Sequence, residues 1–130
     1  MLIPKVAPAS LKGLIHCFHR TTVQRSAVPS SFTIVGSKTN LDNEGILLAA
    51  VWASQGYVVV MPDYLGLDDD RTHPHPYVLY PGVDAQSGLA MVNAARSLLA
   101  TSYGITGGLP LFITGYSEGG AYALQSEQMM

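Results

Sequence analysis

Residues 111–120 of this chain, Leu-Phe-Ile-Thr-Gly-Tyr-Ser-Glu-Gly-Gly, constrain its fold more than any other stretch. Leu109 to Thr114 read as a short apolar strand, and Ala121-Tyr122-Ala123-Leu124-Gln125 read as the body of a helix. Between them, Gly115-Tyr116-Ser117-Glu118-Gly119 leaves about one residue in which to turn from strand to helix. Such a bend pushes Ser117 into a strained, exposed backbone position. Glycines two before and two after it let the arms of the bend pass close together. Ser117 then stands at the N-terminus of a helix, where free amides and the positive end of the dipole favour negative charge. A serine hydroxyl is a weak nucleophile until a base takes its proton, so the pattern is one part of a larger device. The bland alternative is a glycine-rich turn whose serine caps a helix. The strand before it and the helix after it favour a nucleophile elbow.

The elbow needs a sheet to stand on, and the remaining residues supply one. Hydrophobic residues make up 48% of the 130 residues and charged ones only 12%, a balance that suits strands buried on both faces. Leu14-Ile15-His16-Cys17-Phe18 and Tyr57 to Met61 are continuous apolar runs of strand length. Met1 to Val6 looks like the end of another strand, broken by Pro4 and closed by Pro8-Ala9-Ser10. Asp42 or Asn43 can cap a helix over 44–55, with Ile46, Leu47, Ala50, Val51 and Ala53 as its apolar side and Gly56 as its stop. A long proline-bearing loop follows Pro62. Asp84 then caps a second helix to about residue 100, with Leu89, Val92, Ala95 and Leu99 at helical spacing. Strands alternating with helices imply right-handed crossovers and an α/β fold: a mostly parallel sheet with helices on both faces. Sites on such sheets lie outside the carboxyl ends of the strands. The loops there are 19–31, 62–82 and the elbow.

Composition narrows the partners. A net charge of −2, with 7 basic and 9 acidic residues, gives no case for nucleic acid or an anionic membrane surface. The one acidic run, Asp68-Asp69-Asp70, is most simply a solvated loop. No stretch of about 18 apolar residues is present, so no transmembrane segment is expected. The single cysteine, Cys17, cannot form an internal disulfide and reads as core filler.

Four stretches carry a resemblance to the α/β-hydrolase superfamily, and within it to the secretory lipase branch. They are Gly115-Tyr116-Ser117-Glu118-Gly119-Gly120, the run from Gly56 to Leu67 containing Pro62-Asp63-Tyr64-Leu65-Gly66, His73-Pro74-His75-Pro76-Tyr77, and Phe18-His19-Arg20-Thr21-Thr22 with Pro29-Ser30. They span most of the chain in the order that the family has. The resemblance implies a serine nucleophile at Ser117 and an oxyanion hole built from two backbone amides, those of Glu118 and Thr21. At Arg20 many relatives carry glycine, and a left-handed backbone there would strain an arginine. Asp63 resembles a carboxylate that orders a loop by accepting from backbone amides. A carboxylic ester, acylglycerol or lipid-like, is the substrate class the resemblance implies, in a secreted or extracytoplasmic setting. The elbow itself does not choose between ester and amide, so a peptidase of the same fold and a non-catalytic pseudo-hydrolase stay open.

His16, His19, His73 and His75 all precede Ser117, whereas these hydrolases keep the order Ser, Asp or Glu, His. None of the four is therefore expected to be the base. His19 is expected to support the oxyanion loop, and His73 and His75 the proline loop. A metal held by His73, His75 and Asp68–Asp70 is weaker than a rigid-turn role for Pro74 and Pro76, and no cofactor is expected. The resemblance further implies that residues 1–130 are the N-terminal part of one hydrolase domain, with the triad Asp and His in a C-terminal part. A fragment of this kind would leave one flank of its sheet as an unpaired edge.

Overall fold

The computed structural model describes residues 1–31, 44–67, 75 and 80–130. Three strands, β1 (Gly13–Phe18), β2 (Tyr57–Val60) and β3 (Leu111–Gly115), form an all-parallel sheet in the order β2-β1-β3. Gly13 pairs with Tyr57 on one side, and Phe18 pairs with Gly115 on the other. The helices are α1 (Glu44–Ser54), α2 (Pro81–Tyr103) and α3 (Glu118–Gln128).

Side chains alternate across the sheet, and each face finds its own helix. Leu14, Val58 and Val60 pack on Val92, Ala95 and Leu99 of α2. Ile15, Cys17, Val59 and Met61 point the other way and pack on Ala49 of α1. Because the middle strand is covered on both faces, all six residues of β1 are buried. That is why its sequence shows no polar alternation. Beyond the strand ends, Phe18, Val28, Tyr64, Leu67 and Tyr122 form a third cluster that seats α3 against the sheet.

Three expectations change. Met1–Val6 does not form a strand; Leu2 alone bridges Val59, antiparallel, with N–H···O distances of 2.8 and 2.9 Å. Pro4, two residues further on, has no N–H with which to extend the pairing. Asp84 is not the cap of α2 but lies inside its first turn, buried. Pro81 opens the helix instead, its fixed φ suited to a first turn, while the Leu65 N–H draws the Asp84 carboxylate inward at 3.2 Å. In α1 the expected apolar side holds at Ala53 but not at Leu47, Ala50 or Val51. Leu47 and Val51 are exposed, and Ala49 meets the sheet with Trp52 and Ala53 beside it. A helix apolar nearly all round shows no preferred arc, and small alanines let it close on the sheet. The proposed caps Asp42 and Asn43 lie outside the described residues. Gly56 at φ 94° and Gly104 at φ 66° take the left-handed positions that end α1 and α2.

Candidate active site

β3 ends at Gly115 and α3 begins at Glu118, so Tyr116 and Ser117 alone make the turn. Ser117 has φ 56° and ψ −120°, a region costing an L-residue on the order of 1–3 kcal/mol. Close backbone contacts hold it there. The Gly119 N–H donates to Tyr116 O and the Gly120 N–H to Ser117 O, each at 3.0 Å. A Cβ at Gly115 would overlap the Gly119 carbonyl, and one at Gly119 would overlap the carbonyls of Phe18 and His19. Both flanking glycines are thus required by contact. The second also shows that the first turn of α3 lies against the end of β1. Ser117 is exposed. Although it occupies the N-cap position, its side chain makes no capping hydrogen bond. A serine present only to cap the helix would spend its hydroxyl there.

β1 runs out through buried His19 into exposed Arg20 and Thr21. Among the described residues the non-glycine positions with positive φ are Tyr64 and Ser117, so Arg20 is not in the strained conformation. His19 Nδ1 donates to the Arg20 carbonyl at 2.7 Å, and its ring stacks on Tyr64 with centroids 4.0 Å apart. Burial pushes the His19 pKa below its ordinary value. Asp63 orders a neighbouring loop: the Ser30 N–H donates to its Oδ1 at 2.8 Å, and the Ser30 hydroxyl donates to its Oδ2.

Beneath the bend lies a cluster that sequence reasoning missed. The Glu118 side chain is buried, and its Oε1 accepts from the Tyr122 hydroxyl at 2.6 Å. His75 Nε2 lies 3.8 Å from the same oxygen. The other ring nitrogen of His75 meets the Leu65 carbonyl at 3.0 Å. Burial pushes the Asp84 carboxyl up, opposed by its bond from the Leu65 amide, and burial also raises the Tyr64 and Tyr122 phenols. The i, i+4 spacing of Glu118 and Tyr122 was the available signal, because that spacing stacks side chains on one helix face. His16 sits apart from this cluster, buried against the Phe18 ring at a centroid distance of 4.2 Å.

His73 and Asp68–Asp70 lie outside the described residues. Among the described residues no three His, Cys, Asp or Glu side chains converge as a metal site, and no helix is long and apolar enough to cross a membrane. An apolar cavity of about 640 Å³ follows the β2 edge past Met61, Asp63 and Leu65; Ser117 is not among its lining residues.

A parallel sheet with helices on both faces, one strand of which turns within two residues through a positive-φ serine into a helix, is the architecture of the α/β-hydrolase class. The sequence model of the secretory lipase family matches residues 28–128, and the chain belongs to that family. Membership points to a lipase-like hydrolase of ester substrates. No curated protein and no solved structure is matched by the chain.

Proposed function

We propose that Ser117 is the nucleophile of a serine carboxylic-ester hydrolase acting on acylglycerols or other lipid-like esters. Its Oγ attacks the acyl carbonyl while a His, oriented by an Asp, takes the proton. By the family resemblance, both partners are expected in a C-terminal part that follows these 130 residues. The amides of Glu118 and Thr21 receive the carbonyl oxygen as it becomes negative, each worth on the order of 3–4 kcal/mol in the transition state. Collapse expels the alcohol with the proton from the His. Water, deprotonated by the same His, then releases the acid from Ser117.

The observation that carries this reading is the bend itself: an exposed serine at φ 56° whose hydroxyl caps nothing. Family membership supplies the ester chemistry. A fluorophosphonate probe on the full-length gene product tests it. Labelling is expected on Ser117 and is expected to vanish in Ser117→Ala. A folded full-length protein that takes no label overturns the reading.

A further inference from the structure

Two oxyanion donors on separate loops work only if their spacing is held to within about 0.5 Å. In this molecule one buried run of contacts joins the two loops. On α3, Glu118 Oε1 accepts from Tyr122 at 2.6 Å and faces His75 Nε2 at 3.8 Å. A carbonyl oxygen can only accept, so His75 Nδ1 donates to Leu65 O, at 3.0 Å. The Leu65 N–H is held from the other side by Asp84 Oδ1 at 3.2 Å. The preceding residue, Tyr64, stands at φ 70°. Its hydroxyl donates to the His19 carbonyl, and its ring stacks on the His19 imidazole. His19 leads directly into Arg20-Thr21.

The members are deeply buried: Tyr64 and His75 are each 3% exposed, and Glu118 is 6% exposed. A left-handed tyrosine and buried ionisable groups are costly features that persist where the surroundings over-determine them. Tyr64 and Tyr122 meet directly, ring to ring, and His75 stacks on Tyr64 with one ring nitrogen on the Leu65 segment and the other facing the elbow helix.

We propose that Tyr64, His75, Glu118 and Tyr122 are positioning residues that tie the elbow to the loop after β1, holding the amides of residues 118 and 21 as one unit. The catalytic consequence rests on the ester-hydrolase reading; the mechanical tie does not.

Tyr64→Phe and Tyr122→Phe in the full-length protein each remove one hydroxyl and keep the ring contact between them, whose centroids lie 4.9 Å apart. Each is expected to lower kcat on a short soluble ester about tenfold, with KM held within about twofold. Residues acting as a unit are non-additive, so the double variant is expected within about threefold of the worse single one. Hydrogen–deuterium exchange reads the same tie without catalysis. Tyr64→Phe should speed exchange over residues 116–122, and Tyr122→Phe over residues 18–22. Either variant decides the exchange test if the other fails to fold. Exchange unchanged at the far loop, kcat unchanged in a folded variant, or losses that multiply in the double variant would overturn the proposal. Exchange coupling in the variants, together with a wild-type protein that takes no fluorophosphonate, upholds the tie and sinks the hydrolase reading alone.

Discussion

At φ 56° and ψ −120°, Ser117 occupies backbone space that glycine enters freely and a serine enters against steric resistance. Ser117→Gly is therefore expected to raise stability by about 1 kcal/mol in urea denaturation while abolishing fluorophosphonate labelling. A loss of stability instead would show that the bend stores no strain. His16 makes a second residue-scale prediction. Both of its ring nitrogens are buried without a hydrogen-bond partner among the described residues, and burial pushes its pKa to about 4. Between that value and the ordinary 6.5 the unfolded chain binds more protons than the folded one. This contribution to stability is complete above pH 6.5 and falls away as pH drops toward 4, by about 3 kcal/mol in all. His16→Leu should flatten that part of the stability profile, and denaturation midpoints measured from pH 7 to pH 4 would show it.

The elements meet through particular small residues. Where α2 crosses β1, a Cβ on Gly88 would come within 2.5 Å of His16 Cε1 and 2.6 Å of Phe18 Cζ. Gly88→Val should push α2 off the sheet and cost on the order of 3 kcal/mol in chemical denaturation, or leave no folded protein. Gly107, with nothing within 4 Å of such a Cβ, is the control: Gly107→Ala should leave stability within about 0.5 kcal/mol of wild type. The same packing explains why the helices were legible in outline. Of the expected stripe Leu89, Val92, Ala95 and Leu99, the last three face the sheet, while Leu89 is half-buried outside that cluster. The start of α2 was misplaced because Asp84 looks like a cap, and the partner that draws it inward, the Leu65 amide, lies 19 residues earlier.

On the scale of the molecule, the sheet has two unequal edges. β2 is met on its outer side by the Leu2 bridge. β3 pairs with β1 only, among the described strands. Phe112 of β3 is 48% exposed and rests edge-on against Tyr57, their ring centroids 5.8 Å apart. An apolar edge of this kind invites strand-to-strand association. Expressed as the 130 residues alone, the chain should self-associate in light scattering. Phe112→Lys should shift it toward monomer, since a charge on an exposed edge opposes such pairing.

The strand-to-helix bend at Ser117 and the strand identities of β1, β2 and β3 were readable because their signals are local. A strand-length apolar run, or two glycines spaced around a serine, dictates backbone geometry within about ten residues. The tertiary structure alone decided which arc of α1 meets the sheet, that Leu2 makes a bridge and not a strand, and that the Glu118 carboxyl lies inside the molecule. The physical reason is the same in each case. Alanines on α1, the Leu2 backbone and the Glu118 carboxyl each settle according to partners brought to them by other parts of the chain: the sheet face, the β2 edge, and His75 on its loop.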